Sequence, residues 1–325
     1  MAQELTWVVE AAIAQSRSRS SWNNRIAHWE RPPSDHEEGK IQRAADIACR
    51  MIDNNSTMQE IGIKVLPQGS YHNNTNVRLE ADMDLRVQLP FLMVRYGEGI
   101  APETADSALG YYETGGPTLP ELSALVRSEL ASDARRIFGA DKVEVGSKAV
   151  SVEGLDGSRA DVDLVPAFHL RYVLQTSSGD FFSVDGVGIR GADGTETWNF
   201  PEQHHANGVA KRSDTKHRFK RLVRALKRLN YELHELGAIN RRLPSFLVEC
   251  LVYRVENGFF LYEDDDRYAR LLRIVNRLKT LLADPEFVEQ ACEVNDIKIL
   301  FRPHQAWTIS DARNFVDAAQ TRLLA

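Results

Sequence analysis

Gly69-Ser70, Asp82-Met83-Asp84 and Asp161-Val-Asp163-Leu-Val-Pro166 follow one another along the chain, and these stretches decide the fold. Each acidic segment runs into an alternating apolar stretch that is typical of a β-strand. Side chains two positions apart share one face of a strand, about 7 Å apart. Each Asp-x-Asp therefore presents two carboxylates to the same side of the predicted sheet.

Carboxylates gathered on one sheet face repel and desolvate one another, which is costly unless cations join them. Mg²⁺ prefers oxygen ligands, few carboxylates and substrate phosphates. Two such ions about 4 Å apart stabilise the attacking and leaving oxygens of an in-line displacement. The pattern predicts a site for two Mg²⁺ ions, with Mn²⁺ as an alternative, suited to nucleotidyl transfer.

The Gly-Ser pair upstream predicts a phosphate-binding turn. Gly69 has no Cβ, so its backbone can approach a ligand closely. Ser70 adds a hydroxyl and an N–H, and a helix that starts here would favour a phosphate. We predict that Gly69 and Ser70 hold the β- or γ-phosphate of a nucleotide.

Composition limits the class of protein. The 325 residues are 43% hydrophobic and 26% charged, enough for one large domain or two modest ones. The net charge of -6 argues against a surface devoted to nucleic acid. The three cysteines have no zinc spacing, and neither a basic-then-apolar signal segment nor a membrane-length apolar run is present. We expect a soluble cytoplasmic protein.

The predicted secondary structure is mixed α/β first and helical from about Glu202. Strands are predicted at Ile61–Leu66, Met83–Leu89, Lys142–Val145, Ala149–Val152, Ala160–Leu170, Phe181–Val184 and Gly188–Phe200, with tight turns at Asp185-Gly186 and Asp193-Gly194. Helices are predicted at residues 3–15, from Ser34-Asp35 to Asn54, and at Leu122–Phe138, Arg218–Leu236, Ser245–Val255, Tyr268–Leu282 and Ser310–Leu324. Pro102–Pro120 is interpreted as a surface insertion or lid. We assign a catalytic lobe to residues 1–205 and a helical lobe to residues 206–325.

The helical half offers further candidate ligands. Arg224 and Lys227 flank apolar residues on a basic helix, so they either edge a cleft and pair with triphosphate oxygens or belong to a solvated face. Ser245, after Pro244, is either an N-cap or a phosphate ligand at a helix start. Phe246 either stacks on a base or packs in the core.

The ordered set Gly69-Ser70, Asp82-x-Asp84 and Asp163-Leu-Val-Pro-Ala-Phe168 resembles the polymerase-β-like nucleotidyltransferases, and within them the cGAS/DncV-like group. The resemblance implies an α+β bilobal fold with the active site in a cleft. It implies that Asp82, Asp84 and Asp163 are the metal-binding catalytic residues, with Asp161 as a second candidate for the third. It also implies nucleotide binding by Arg224 or Lys227, by Ser245 and by Phe246.

In bacteria the family implies synthesis of a cyclic di- or trinucleotide messenger from NTPs in anti-phage (CBASS-type) defence. A downstream effector reached through the messenger and a regulatory protein partner follow from it, whereas activation by nucleic acid is not supported. The rivals are an RNA-extending or protein-modifying nucleotidyltransferase and an inactive nucleotide-binding module.

Overall fold

The computed structural model describes residues 18–77, 82–112, 115–263, 266–303 and 305–325. The helix predicted at residues 3–15 lies outside these residues. The chain divides into two compact units. One holds residues 34–73 and 80–202, and the other holds the segments up to Pro33, from Asn74 to Leu79 and from Gln203 onward. The boundary after residue 205 stays a prediction.

The first unit contains a seven-stranded sheet in the order β1-β2-β5-β4-β3, with β6 paired to β5 and β7 paired to β6. Strands β2 and β5 are parallel, and the other pairs are antiparallel. The strands are β1 Lys64–Gln68, β2 Met83–Tyr96, β3 Val143–Val145, β4 Val150–Val152, β5 Val162–Gln175, β6 Phe181–Arg190 and β7 Glu196–Asn199. This mixed sheet confirms the predicted α+β class.

Helices α2 Asp35–Asp53, α3 Ser56–Ile61, α4 Gly69–His72, α5 Pro102–Leu109 and α6 Leu119–Phe138 belong to the same unit. At the predicted start of this helix, Ser34 caps α2: it accepts from Glu37 N–H, and the Glu37 carboxylate accepts from Ser34 N–H in return. Thr118 and Glu121 form the same capping box on α6. These caps fix where the helices that flank the sheet begin.

The second unit is helical. Residues 18–29 form helix α1. The later helices are α7 Pro201–Asp214, α8 Arg218–Glu235, α9 Ser245–Arg254, α10 Arg267–Ala283, α11 Pro285–Gln290 and α12 Ile309–Leu324. Their core joins the apolar stripe of α8 to Trp22 and Ile26 of α1 and to residues of α9, α10 and α12. Among the helices described, none is both long and apolar enough to cross a lipid bilayer.

Two local predictions were wrong, and the predicted surface insertion proved to be partly helical. Ile61 ends helix α3, so the first strand starts at Lys64 rather than at Ile61. Asp185-Gly186 is no turn, because it lies inside β6 and pairs with Arg171 and Leu170. A Cβ on Gly186 would lie 2.8 Å from the Asn199 carbonyl oxygen, so this glycine permits a close approach of strands. Part of the predicted insertion forms α5, since Pro102 starts a helix there.

Candidate active site

Two of the predicted carboxylates are direct neighbours in the sheet. Asp84 on β2 pairs in parallel register with Asp163 on β5. Residues paired on adjacent strands point to the same face, about 4.8 Å apart along the hydrogen-bonding direction. Asp82 comes just before β2, where Met83 N–H donates to the Asp161 carbonyl at 3.0 Å. The backbone therefore aligns both acidic segments at one end of the two central strands.

The electrostatics of these carboxylates reflect their crowding. Burial first, and then the charges of Asp163 and Asp82, together raise the pKa of Asp84 to about 6. Burial also raises the pKa of Asp82, followed by the charges of Asp161 and Asp163. Each shift means that the ionised form lacks a compensating positive charge. A bound cation would provide that charge.

The Gly-Ser turn lies against this acidic pair. Gln68 at the end of β1 pairs with Asp84, and α4 begins at the next residue, Gly69. Gly69 has φ +71°, and a Cβ built on it would lie 1.9 Å from Asp84 Oδ2. Only glycine fits here without displacing the carboxylate. The predicted phosphate turn and the predicted metal ligands therefore lie together.

A cavity of about 440 Å³ lies on the side of Asp84 and Asp163 that is opposite to the Gly-Ser turn. Asp82, Asp161 and Asp163 line it, together with Lys142 from the segment before β3 and Ser151 from β4. Ser151 pairs with Asp163 in register, and Lys142 Nζ lies 2.9 Å from Glu153 Oε1. The strand order thus places the Gly-Ser turn on one side of the carboxylates and this cavity on the other.

Asp161 and Asp163 differ in their surroundings. The Asp161 carboxylate accepts a hydrogen bond from Gly154 N–H, and a Cβ on Gly154 would lie 2.9 Å from it. Asp163 instead lies between Asp84 and Ser151 in the sheet. The geometry therefore favours Asp163 over Asp161 as the third carboxylate.

The carboxylates fit Mg²⁺ in ligand type, charge and placement. Within the described ranges, no three His, Cys, Asp or Glu side chains stand close enough together to form a complete metal site. Mg²⁺ is normally held by one or two carboxylates plus phosphates and water, so a full protein cage is not required. Asp84 and Asp163 can supply the two carboxylates, with Asp82 beside them.

Arg224 and Lys227, the predicted phosphate ligands on α8, are buried in the helical unit. Arg224 Nε donates to the Glu30 carbonyl at 2.8 Å, and its guanidinium donates to the Asn74 carbonyl at 2.7 Å. Burial lowers the pKa of Arg224 to about 10. Lys227 is only 2% exposed, and its Nζ donates to the Thr75 carbonyl at 3.0 Å. Both cations thus bind the chain at residues 74–75.

A buried carboxylate completes this cluster. Glu249 on α9 accepts from Thr75 Oγ1 at 2.7 Å, contacts His204 Nε2 at 3.1 Å and lies 3.7 Å from Lys227 Nζ. Burial alone would raise the pKa of Glu249, but the His204 hydrogen bond, the Lys227 charge and the Thr75 hydroxyl outweigh it and lower the pKa to about 2. Glu249 is therefore ionised inside the helical unit.

Ser245 is not the N-cap of α9, because Pro244 occupies that position and Ser245 is the first helical residue. Its N–H is one of the first-turn amides that have no partner within a helix. Phe246 is 37% exposed, and its ring lies 5.6 Å from that of His204 and 6.0 Å from that of Trp307. The ring thus extends an aromatic surface rather than filling the core.

Sequence reasoning missed Thr75, Glu249 and Ser151. Glu249 left a signal, since it is a charged residue within the apolar run Leu247–Val252, where a buried charge needs a partner. Ser151 left no signal, because its importance comes from register with Asp163.

This chain is similar to known proteins over most of its length. Residues 206–324 match the cGAS/DncV-like nucleotidyltransferase C-terminal helical domain. The cyclic dipyrimidine nucleotide synthase CdnE of Legionella pneumophila is 32% identical over 296 residues, which cover 91% of this chain and 95% of that protein. The cyclic dipurine nucleotide synthase of Elizabethkingia meningoseptica is 31% identical over 302 residues, covering 90% and 94%. The structure of Elizabethkingia meningoseptica CdnE with GTP and Apcpp aligns with a TM-score of 0.71 at 26% identity, covering 93% of this chain and 98% of that one.

Proposed function

Because this chain belongs to the cGAS/DncV-like nucleotidyltransferases, we propose that it makes a cyclic di- or trinucleotide messenger from NTPs with Mg²⁺. The proposal includes a role in bacterial anti-phage (CBASS-type) defence, exerted in the cytoplasm through an effector that binds the messenger. That role, and a regulatory protein partner, rest on the family resemblance. The two relatives named above are synthases of cyclic dipyrimidine and cyclic dipurine nucleotides, which favours a dinucleotide product.

The observation that carries the proposal is the placement of Gly69 and Asp163 on opposite sides of Asp84. Gly69 lies against the Asp84 carboxylate, and Asp163 is its register partner on β5. A phosphate held by the Gly-Ser turn would therefore lie beside the acidic pair. An acceptor hydroxyl in the cavity lined by Asp163 and Ser151 would approach Asp163 from the opposite side. This order of donor, carboxylates and acceptor suits an in-line transfer.

We assign the following roles to the residues. Asp84, Asp163 and Asp82 would hold Mg²⁺, which when bound would supply positive charge to the phosphate oxygens and lower the pKa of the acceptor hydroxyl. Gly69 N–H and the Ser70 hydroxyl orient the donor phosphates. Within the helical unit, the Ser245 N–H can donate a hydrogen bond to a nucleotide phosphate, and the exposed Phe246 ring offers a face for a base.

Arg224 and Lys227 were predicted from the sequence to pair with triphosphate oxygens, and the structure leads us to propose a different role. Their donors contact carbonyl groups of Glu30, Asn74 and Thr75. Contact with a triphosphate would require these hydrogen bonds to rearrange. We therefore propose that both cations act on the nucleotide chiefly through residues 74–75.

The test is product analysis after incubation of the protein with all four labelled NTPs and Mg²⁺. A phosphatase-resistant small product whose mass equals that of a cyclic oligonucleotide would support the proposal, and its mass would also identify the bases. Label found only in RNA or in protein would replace cyclisation by one of the rival reactions. Asp84→Ala is the matched control, and product formation that survives it would remove the acidic pair from the chemistry.

A further inference from the structure

One buried network has no direct role in the transfer step proposed above. It consists of Thr75, His204, Lys227 and Glu249, and we call it the Glu249 network. Thr75 is fully buried, and Lys227 and Glu249 are 2% and 3% exposed. Thr75 Oγ1 donates to Glu249, while Lys227 Nζ donates to the Thr75 carbonyl and lies near Glu249. The Thr75 backbone and side chain are therefore both held by charged groups.

The neighbouring residue is held in the same way. Asn74 has a left-handed backbone with φ 54°, a conformation that costs an L-residue free energy and persists only where its surroundings hold it. Arg224 holds Asn74 in this conformation, because its guanidinium donates to the Asn74 carbonyl at 2.7 Å and to the Asn74 side-chain oxygen at 3.4 Å. Two consecutive residues are thus fixed by side chains of α8 and α9.

This segment directly follows the Gly-Ser turn in the chain. Helix α4 ends at His72 with Asn73 as its C-cap, so Asn74 is two residues from the turn helix. A chain of two residues spans at most about 7 Å. A displacement of Asn74 or Thr75 is therefore passed through the backbone to α4, where Gly69 lies against Asp84.

Stability alone is a poor explanation for such a network. Buried ion pairs are often no more stabilising than apolar residues of similar volume, because desolvation offsets the Coulomb attraction. Their clearest benefit is to fix one arrangement of the chain. We propose that Glu249 is a positioning residue for nucleotidyl transfer: through Thr75 and Lys227 it fixes residues 74–75 and thereby the Gly69-Ser70 turn. This inference rests on the proposed function for the role of that turn.

The decisive comparison is between Thr75→Val and Thr75→Ser, which remove and keep the hydroxyl that contacts Glu249. We expect Thr75→Val to lower kcat/KM for pyrophosphate release from Mg·ATP by about tenfold to a hundredfold per folded molecule, the loss typical of a misplaced substrate group. Thr75→Ser should retain most of the rate. Glu256→Gln, which removes an exposed carboxylate paired with Arg277, should leave the rate unchanged.

Glu249→Gln, measured alone and in combination with Thr75→Val, completes a double-mutant cycle. If Thr75 acts through Glu249, Thr75→Val should cost less once Glu249 is replaced, since Glu249→Gln exchanges the charged acceptor of the Thr75 hydroxyl for a weaker neutral one. Equal losses in Thr75→Val and Thr75→Ser, or fully additive losses in the cycle, would overturn the inference. So would a lowered Tm with an unchanged rate per folded molecule. If Glu249→Gln does not fold, the two Thr75 variants decide alone.

Two readouts separate this inference from the proposed function. Pyrophosphate release does not depend on whether the product is cyclic, so label appearing in RNA would end the proposed function and leave the variant comparison valid. If the wild-type protein releases no pyrophosphate, binding of the analogue Apcpp with Mg²⁺ is measured instead. Weaker binding by Thr75→Val than by Thr75→Ser supports the positioning role, and equal binding overturns it.

Discussion

Gly69 lies so close to Asp84 that a methyl group on Gly69 would come within 1.9 Å of Asp84 Oδ2. The phosphate turn and the central carboxylate are therefore sterically dependent on one another. Gly69 also has φ +71°, so an L-residue there has both a strained backbone and a direct clash.

Gly69→Ala should abolish product formation, with a loss of about a hundredfold or more, because the new Cβ displaces the Asp84 carboxylate. Gly99→Ala is the matched control, since Gly99 has φ +77° and no atom within 4 Å of its virtual Cβ. Its cost should be confined to about 1 kcal/mol of backbone strain. Initial rates and thermal unfolding of both variants check this. Equal activity in the two proteins would contradict the steric argument.

Asp163 and Asp161 should respond differently to removal of their charges. Asp163→Asn removes the register partner of Asp84 and should lower kcat by about a thousandfold, the range seen for loss of a key electrostatic group. Asp161→Asn removes a carboxylate already bound to Gly154 N–H and should retain activity within about tenfold. Steady-state rates at saturating Mg²⁺ measure the difference, and the reverse order would assign the third carboxylate to Asp161.

Asp84→Asn should stabilise the metal-free protein. The Asp84 carboxylate is partly buried and faces the charges of Asp163 and Asp82, so its ionised form is unfavourable in the fold. We expect a higher Tm for Asp84→Asn in EDTA at pH 8, as is common when a strained functional charge is removed. Added Mg²⁺ should raise the Tm of the wild-type protein more than that of the variant. A lower Tm of the variant in EDTA would show that the carboxylate is already compensated.

The Glu249 network should make stability depend on pH at the acidic end. The pKa of Glu249 is lowered from 4.5 to about 2, so the folded state favours the ionised carboxylate. Its contribution is complete above about pH 4.5 and is lost as the pH falls toward 2. Urea unfolding of wild type and Glu249→Gln should differ by up to about 3 kcal/mol at pH 7 and converge at the acidic end. A difference that is constant with pH would show that charge is not the cause.

Phe246 offers a test of base contact. Its ring is 37% exposed beside His204 and Trp307. Phe246→Leu should raise KM for the NTPs by about tenfold, whereas Phe246→Tyr should not, because only the aromatic face is needed for stacking. A change in kcat with KM unaffected would place the ring outside the binding site.

The sequence alone determined the acidic strands, the Gly-Ser turn and the change to helices near Glu202. These features depend on local spacing and on which residue types tolerate a given backbone, so they are visible without contacts. The caps at Ser34 and the apolar stripe of α8 were predictable for the same reason. The order of strands before helices agrees with the α+β class that the family resemblance implied.

Only the tertiary structure decided which residues face one another. The parallel register of β2 and β5 pairs Asp84 with Asp163 rather than with Asp161. The packing of the Gly-Ser turn brings Gly69 so close to Asp84 that a Cβ on Gly69 would clash with the carboxylate. Folding also placed Arg224 and Lys227 against residues 74–75 and gave Glu249 hydrogen bonds with Thr75 and His204 and an ion pair with Lys227. Spacing along a chain cannot encode such partners, because a buried charge is matched by whichever distant donor the packed backbone brings within hydrogen-bonding distance.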